Sequence, residues 1–438
     1  MIDAIARHAG RCLAVCAVAA SAAAAEPEES AAEHETLPAG PSLTLDQALG
    51  RAMARNPALV AFGYQIEAEE GRLRQAGIRP NPKLDVTVSD ALGSGDFRGM
   101  RSAETTVSIA WAIERGVRQR QVEAARANVA LAALDARILR LDTAAETARR
   151  FIACLAFQEL LGHAAERIRL AQQTIAAVES RVRAGRAMQA ALARARAGLV
   201  RAELLEEDHH HELLAARHRL SAQWGEHKPD FVAAAGNLRT LPSPEPVENL
   251  VDRVKQNPNL ARFVSRERIA EAELRVARAR SRPDWEVHAG VRRFEVTDDL
   301  ALVAGLSIPI GVRERYQGRI AEARAAMSRA AGEGRAARVE IEAAVYALYQ
   351  ELNHHIHVAA AISDRLIPQL ERALADVERA YELGRTTFVE LTGVQAELLG
   401  ARHDYLESSI GAHETLIEIE RLTGETVLPS GGTRRESS

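Results

Sequence analysis

Residues 83–113 read KLDVTVSDALGSGDFRGMRSAETTVSIAWAI, and in this stretch the hydrophobic pattern of the chain switches to strict alternation. Two alternating runs flank a glycine-rich centre at 93–99. Their apolar positions are Leu84, Val86, Val88, Val107, Ile109, Trp111 and Ile113. A period of two predicts strands whose side chains separate onto two faces. The stretch therefore predicts a β-hairpin with one apolar face.

The same pattern returns at about 284–310, around a short turn at Asp298-Asp299. Other features also recur at a spacing of roughly 200 residues, as expected of an internal duplication. The recurring pairs are Arg55-Asn56-Pro57 with Gln256-Asn257-Pro258, Pro82 with Pro283, Ser108-Ile109 with Ser307-Ile308, Gly185 with Gly384 and Gly225 with Gly424. The sequence therefore predicts two copies of one structural plan.

Helical periodicity surrounds each predicted hairpin. A helix over about 43–78 precedes the first hairpin. A run free of proline follows each hairpin, from about 116 to 184 and, apart from Pro368, from about 317 to 384. At about 1.5 Å per residue, each run makes a helix roughly 100 Å long. A globular core has no such dimension, so these helices predict an elongated molecule.

Each long helix is predicted to end at a glycine, Gly185 in the first copy and Gly384 in the second. A returning helix follows, to about Gln223 and about Leu422. Glycine is the usual residue where a helix stops and the chain reverses. Each copy therefore predicts a helical hairpin with a tip.

The two copies and their flanks give a predicted division of the chain. Arg7 and Arg11 precede a short apolar run, which is typical of an export signal. The predicted parts are a signal peptide at 1–25, a flexible N-terminal segment at 26–42, the first repeat at 43–224, a connecting or equatorial segment at 225–246, the second repeat at 247–424 and a disordered tail at 425–438. A retained inner-membrane anchor and lipidation at Cys16 are alternatives for the N-terminus.

The composition excludes several classes of protein. Hydrophobic residues make up 47% of the chain but aromatic residues only 4%, which favours long helices packed through small side chains. The formal net charge of -4 offers no basic surface, so no nucleic-acid partner is expected. No nucleophile elbow, phosphate loop or zinc-ligand spacing occurs. We therefore expect that the protein has no catalytic residues and no cofactor and that it is not an enzyme.

Histidines and cysteines suggest no metal site or disulfide either. His209-His210-His211 and the histidines at 354–357 lie in predicted helices, where adjacent side chains point about 100° apart and cannot converge on one ion. We expect these histidines to be polar positions that face water, either on the outer surface or in a lumen. Signal cleavage removes Cys12 and Cys16, which leaves Cys154 alone in a predicted buried helix position.

The predicted strands have the length that suits a membrane. About ten tilted residues cross a bilayer, and alternation suits lipid on one side and water on the other. An open sheet edge in hydrocarbon leaves backbone groups unsatisfied at a cost of several kcal/mol each, so other copies of the chain must complete the sheet. Trp111 and Trp285 are candidates for the aromatic belt at the membrane interface. The alternative is a soluble sheet with one face on a core.

This order of elements resembles the TolC-type outer-membrane factor family over nearly the whole chain after the signal. The string LTLDQAL at 43–49, followed by Asn56-Pro57, resembles the opening helix of that family. The strings LSIPI at 306–310 and RYQG at 315–318 are similar to a strand-to-helix junction in the branch that serves heavy-metal pumps of the resistance-nodulation-division (RND) type. The first junction departs from this pattern, with Ala110 where the second has Pro309.

The resemblance implies a mainly α fold with a small transmembrane β part, in which a homotrimer forms a twelve-stranded β-barrel on a long α-helical barrel. It implies a place in the outer membrane, in contact with lipid, with a periplasmic helical extension. The implied function is passive conduction from an inner-membrane RND pump and a periplasmic adaptor to the exterior. The implied cargo is a divalent heavy-metal cation such as cobalt, zinc, cadmium or nickel.

The resemblance extends to the tips, where YELGRTTFVEL at 381–391 resembles the tip motif of the family. It implies adaptor docking by Arg183, Gly185, Arg186, Gly384 and Arg385, and gate or lumen roles for Tyr381 and Glu390. Three positions depart from the gate of relatives: Thr386 and Gly393 replace charged residues, and Ala191 replaces an acidic one.

Two other functions fit the same pattern. The same duct could serve drug efflux or type I protein secretion. A periplasmic coiled-coil scaffold or adaptor would instead be a soluble protein.

Overall fold

The computed structural model describes residues 40–310 and 312–424. The predicted signal peptide, Cys12, Cys16, the N-terminal segment before residue 40 and the predicted tail at 425–438 lie outside the described residues. The elements in chain order are β1 (Ser42–Thr44), α1 (Leu45–Arg55), α2 (Pro57–Gly77), β2 (Lys83–Ser89), β3 (Glu104–Ile113), α3 (Val117–Arg183), α4 (Gln189–Ser221), β4 (Ala233–Ala235), α5 (Val247–Val254), α6 (Pro258–Arg280), β5 (Trp285–Phe294), β6 (Asp299–Ser307), α7 (Val312–Arg315), α8 (Gln317–Ala361), α9 (Ile367–Glu382) and α10 (Phe388–Thr423).

The described chain runs twice through one order of elements: a helix, a strand pair, a long helix and a returning helix. In the first copy these are α2, β2 with β3, α3 and α4. In the second they are α6, β5 with β6, α8 with α9, and α10. The longest helix, α3, has 67 residues. The predicted fold class, mainly α with a small β part and a duplicated plan, is confirmed.

The sheet has four strands in the order β2-β3-β5-β6, and every neighbouring pair is antiparallel. Residues directly opposite each other lie on one face of a sheet. Val107 lies opposite both Val86 and Val291, and Val291 lies opposite Leu302. An apolar face therefore runs across all four strands. Its larger apolar residues are Leu84, Val86, Val88, Val107, Ile109, Trp111, Ile113, Trp285, Val287, Val291, Leu300, Leu302 and Leu306.

The other face of the sheet carries charged pairs. Arg292 donates a hydrogen bond to Glu104 at 2.8 Å, and Lys83 donates one to Glu286 at 3.3 Å. Strands β2 and β6 form the two flanks, and neither has a strand on its outer side within the described residues. As far as the structure describes the chain, the sheet is an open ribbon with one apolar face, one charged face and two free edges.

An Asn-Pro pair begins α2 and α6 in the same way. Asn56 accepts the N–H two residues further on at 2.9 Å and donates to the carbonyl of Gln223 at 2.8 Å. Asn257 accepts the corresponding N–H at 2.6 Å and donates to the carbonyl of Leu422. Each asparagine thus caps one helix and ties it to the end of the returning helix in its own repeat.

The recurring glycines complete the same two contacts. Gly225 and Gly424 adopt φ values of +77° and +76°, which favour glycine. A Cβ at Gly225 would lie 3.3 Å from the ring of Pro57, and one at Gly424 would lie 3.1 Å from the ring of Pro258. The Asn-Pro pair and the distant glycine therefore recur together because they meet in space.

Two helices differ from the prediction. The helix expected over 43–78 is divided at Asn56, because proline lacks an N–H and favours the first turn of a new helix. In the second long helix, Ile362–Leu366 form a π-helical turn between α8 and α9. Pro368 follows this turn, and the wider turn accommodates its ring and its missing donor.

A short parallel strand pair connects the N-terminal part to the connecting segment. β1 pairs with β4 over three residues each. The side-chain amide of Gln158 in α3 makes two hydrogen bonds to the backbone of Ala234. Its oxygen accepts the N–H of Ala234 at 2.7 Å, and its NH₂ group donates to the carbonyl of Ala234 at 3.0 Å. This pair of strands is not predicted from the sequence, because a strand of three residues is too short to show an alternating pattern.

A large hydrophobic cluster lies where α1, α3, α4 and the connecting segment meet. Cys154 is fully buried in it, as predicted for a helical core position. Burial raises the pKa of its thiol to about 12, with the charge of Arg217 opposing. The thiol is therefore protonated and unreactive at neutral pH. Other members of the cluster are Leu43, Phe151, Leu155, Leu220, Trp224, Phe231 and Leu238.

We expect Asn257→Ala to destabilise the second repeat, because it removes a helix cap and the donor to the carbonyl of Leu422. The free energy of unfolding is expected to fall by roughly 1–3 kcal/mol. The measurement is the apparent melting temperature of the detergent-solubilised protein. Asn259→Ala is the matched control, since that side chain makes no hydrogen bond within the described residues. Equal melting temperatures for the two variants would contradict the expectation.

Candidate functional site at the helical tips

Each repeat reverses direction at a tip built around one glycine. Gly185 lies between α3 and α4, and Gly384 lies between α9 and α10. Their φ values are +66° and +75°, in the left-handed region where a side chain is strained. The chain therefore reverses at each of these two glycines.

The backbone of the two tips follows one hydrogen-bonding scheme. In each tip the glycine N–H donates to a carbonyl in the last helical turn at 3.0 Å. The N–H of the following arginine, Arg186 or Arg385, donates to a carbonyl one residue earlier at 2.8 Å. This pair of bonds satisfies carbonyls in the last turn of the helix and places the arginine directly after the reversal.

One side chain joins the two tips. Arg181, in the last turn of α3, places its guanidinium 4.4 Å from the centroid of the Tyr381 ring. It also donates to the carbonyl oxygen of Tyr381 at 2.7 Å. Tyr381 is only 3% exposed, so this cation–π contact is shielded from water. We call this contact the Arg181 clamp, and it fixes the first tip to the second.

A hydrophobic cluster beneath the clamp holds the ends of α3, α4, α9 and α10 together. Its buried members are Val178, Leu192, Ala195, Leu374, Tyr381, Leu391 and Leu398. Because both hairpins contribute, the tips form one packed unit within the chain, and a change in the position of one tip must disturb the other.

The helices that leave the two tips start differently. Thr387 caps α10 by accepting the N–H of Glu390 at 3.2 Å, and Thr386 hydrogen bonds to the Glu390 carboxylate. Met188 stands at the start of α4, makes no side-chain cap and is 79% exposed. Local hydrogen bonds from threonine side chains therefore stabilise the second tip. The first tip lacks these bonds and exposes the apolar side chain of Met188.

The structure separates the predicted tip residues into two groups. Arg183, Gly185, Arg186, Gly384 and Arg385 are exposed at the tips, and Glu390 is exposed beside them. Tyr381 is buried under the clamp. The exposed residues are thus available to another molecule, whereas Tyr381 can act only through contacts inside the chain.

Arg181 was not among the residues predicted from the sequence. A signal was present, because the position that matches Arg181 in the second repeat is Ala380, so the two tips differ four residues before their glycines. Only the structure shows that the first tip lies against Tyr381, which makes that difference meaningful.

The two tryptophans proposed for a membrane interface lie on the apolar face of the sheet. Trp285 is the first residue of β5 and stands opposite Ile113. Trp111 stands opposite Val287 and is 46% exposed. Both lie toward the end of the sheet that joins α3 and α6.

A polar cavity of about 820 Å³ lies beside the middle of α3. Its lining residues include Glu159, His163, Glu166, Arg239, Glu371 and Arg402. Burial lowers the pKa of His163, with Glu159 opposing, so the imidazole is neutral at pH 7. The hydrogen bond from Arg169 lowers the pKa of Glu166. Arg402 forms ion pairs with Glu371 at 3.0 Å and with Glu166 at 3.8 Å, and these ion pairs connect the walls of the cavity.

The histidines at 209–211 lie on α4 and those at 354–357 on α8. Across the described ranges, no group of three or more histidine, cysteine or acidic side chains has the geometry to hold a metal ion. Among the described helices, none combines the length and the apolar character that crossing a membrane requires.

Comparison with known proteins gives a consistent set of relatives. The chain is 28% identical over 387 residues to the cobalt-zinc-cadmium resistance protein CzcC of Cupriavidus metallidurans, covering 88% of this chain and 91% of that protein. It is 28% identical over 302 residues to the nickel and cobalt resistance protein CnrC of the same organism, covering 68% and 70%.

Solved structures share the fold at lower identity. A crystal structure of CusC matches with a TM-score of 0.73 and 18% identity, covering 87% of this chain and 92% of that one. The outer membrane protein VceC of Vibrio cholerae matches with a TM-score of 0.70 and 18% identity, covering 87% and 96%.

The family model for outer membrane efflux protein matches residues 48–226 and 250–425, which are the two structural repeats in turn. Proteins of this family are passive channels and not enzymes. The chain therefore belongs to the outer membrane efflux protein family.

Proposed function

We propose that this chain is the outer-membrane channel subunit of a tripartite efflux system that exports divalent heavy-metal cations. The observation that carries the cargo is the similarity over 88% of the chain to a protein named for cobalt, zinc and cadmium resistance. Two further relatives are named for resistance to nickel and cobalt and to nickel, cobalt and cadmium. The candidate cations are therefore cobalt, zinc, cadmium and nickel.

The functional assembly is a homotrimer in this proposal. The sheet has an apolar face suited to lipid, and its edges on β2 and β6, which have no neighbouring strand among the described residues, need partners there. The outer edge of β6 in one subunit pairs with β2 of the next, and three ribbons of four strands close one barrel. The charged face then lines the lumen, where the pairs of Glu104 with Arg292 and Lys83 with Glu286 offset each other.

The exposed tips are the docking surface for a periplasmic adaptor, which links the channel to an inner-membrane RND pump. Arg183, Arg186 and Arg385 give the tips a positive surface, and the helix ends beside them carry partial negative charge that the arginines offset. An adaptor with acidic side chains at its contact surface would suit these tips. Gly185 and Gly384 set the tight reversal that brings the arginines to the end.

The Arg181 clamp and Glu390 supply the gate in this proposal. The clamp holds the second tip against the first in the structure described here. Opening a tube at its tips requires one hairpin to move relative to the other, so the clamp favours the closed state. Glu390, exposed beside the tip, places a carboxylate on the path of a cation.

Deletion of the gene tests the cargo. The deletion strain is expected to lose resistance to cobalt, zinc, cadmium or nickel salts while its resistance to hydrophobic drugs stays unchanged. The measurement is the minimal inhibitory concentration across a panel of metals and drugs, with the wild-type gene restored on a plasmid as the control. Sensitivity confined to drugs would replace the metal assignment with drug efflux, and a secretion defect alone would replace it with protein export.

Substitution of the clamp tests the gate. Arg181→Gln removes the cation–π contact and the hydrogen bond to Tyr381, together worth roughly 1–2 kcal/mol. The open fraction of the channel, measured by single-channel conductance in planar bilayers, is expected to rise about 5–30-fold. Arg183→Gln is the control, since that side chain is 74% exposed and lies 4.0 Å from Glu179. An equal rise in both variants, or none in Arg181→Gln, would contradict the role of the clamp.

A further inference from the structure

Five arginines line a cavity of about 280 Å³ where the sheet joins the helices. They are Arg115, Arg120, Arg275, Arg278 and Arg282, and the cavity wall is completed by Gly116, Gln119 and Ala279. Among the described residues, no carboxylate contributes to the lining. So many cations around one small space repel each other, and an anion inside the cavity would relieve that repulsion.

The nearby carboxylates neutralise only part of this charge. Glu123 accepts two hydrogen bonds from Arg120 at 2.9 Å and lies 3.5 Å from Arg275. Glu271 accepts one from Arg275 at 2.8 Å. The other three arginines have no carboxylate within 4.0 Å in the part of the chain that the structure describes, and all three are exposed. These free arginines are Arg115, Arg278 and Arg282.

The cavity lies at the level where the strands end. β3 ends at Ile113 and α3 begins at Val117, while α6 ends at Arg280 and β5 begins at Trp285. A molecule bound here would therefore touch both the last residues of the sheet and the first turn of the helices. The first turn of α3 contains no acidic residue, so its partial positive charge adds to that of the arginines.

One lining residue of the cavity, Arg115, lies beside the apolar face of the sheet. The guanidinium of Arg115 lies 4.9 Å from the centroid of the Trp285 ring. Trp285 stands opposite Ile113 and shares the face of Val287 and Trp111. Arg115 therefore lies at the border of the face that would meet lipid, and not on the charged face opposite.

We propose that this cavity binds the phosphate of an anionic phospholipid in the periplasmic leaflet of the outer membrane. The proposal rests on the proposed function, because it needs the apolar face of the sheet to lie in that membrane. Guanidinium groups bind phosphate oxygens in pairs with fixed geometry, and the acyl chains of the lipid would lie along the apolar face beyond Trp285. Trp285 and Arg115 then form one interfacial anchor, which sets how deeply the barrel sits.

The test measures lipid binding to the full-length, detergent-solubilised oligomer by native mass spectrometry. The probes are phosphatidylglycerol, phosphatidylcholine and inorganic phosphate. Wild-type protein is expected to retain phosphatidylglycerol more tightly than phosphatidylcholine. The variant Arg115→Gln/Arg278→Gln/Arg282→Gln is expected to bind phosphatidylglycerol about 100-fold more weakly, since each basic residue near an anionic headgroup contributes about 5-fold.

Two further variants keep the result interpretable. Arg201→Gln/Arg335→Gln/Arg372→Gln removes the same charge from exposed arginines on α4, α8 and α9 that also have no carboxylate within 4.0 Å among the described residues, and it should bind like wild type. Arg115→Lys/Arg278→Lys/Arg282→Lys keeps the charge and should bind more tightly than the glutamine variant. This ordering separates a site from a general effect of net charge and from misfolding.

Several outcomes would overturn the inference. The first is equal binding of phosphatidylglycerol by the cavity variant and the wild type, and the second is an equal loss of binding in the control variant. The third is phosphatidylcholine bound as tightly as phosphatidylglycerol. The fourth is full displacement of the lipid by inorganic phosphate, which would mean that the cavity binds a free anion. If the oligomer inserts into the membrane but shows no lipid preference, this inference is wrong and the proposed function is unaffected. Absence of the oligomer from the outer-membrane fraction would defeat both.

Discussion

The hydrogen bonds missing from the two edges of the sheet are the constraint on which the rest of the structure depends. Strands β2 and β6 each have one free side within the described residues. Water can satisfy these groups in a soluble protein, but hydrocarbon cannot, at a cost of several kcal/mol for each group. The face that would meet hydrocarbon is exposed and apolar, with Leu302 90% and Leu84 69% exposed. A ribbon of this kind can be stable in a membrane only as part of a closed barrel.

The duplication makes that closure compatible with long helices. Each repeat supplies one hairpin to the sheet and one helical hairpin below it, and the Asn-Pro and glycine contacts join the beginning of each repeat to its end. The same sequence elements thus place the two tips side by side, where the shared hydrophobic cluster and the Arg181 clamp join them. The two tips are not identical, because only the first carries the Arg181 clamp and only α10 begins with a threonine cap, and the tips are where the proposed gate needs two states.

Much of the fold could be predicted from the sequence, because its signals are long and periodic. Alternation over Leu84 to Ile113 and the proline-free runs gave the hairpins and long helices, and the recurrence of Gly185 as Gly384 gave the tips. The β1–β4 pair could not be predicted, since three alanines at 233–235 carry no strand pattern and their partner lies far away in sequence. The exposed arginines of the tips could be predicted from the sequence. The difference between Arg181 and Ala380 was visible in the sequence, but its meaning and the arginine cavity were not. Both depend on which helices are neighbours: α3 lies against Tyr381 at one end and against α6 at the other.

Cross-linking between subunits tests the central claim most directly. The measurement pairs Thr87→Cys in β2 with Ala301→Cys, Val303→Cys or Gly305→Cys in β6 and applies a short thiol-specific reagent to intact outer membranes. Cys154 is buried and its thiol pKa is raised to about 12, so it should not react. The account predicts covalent dimers and trimers, and no larger species, for at least one β2–β6 pair, and monomers for each single-cysteine variant. Monomers alone at every register, in protein that is present in the membrane, would contradict closure of the sheet by neighbouring subunits.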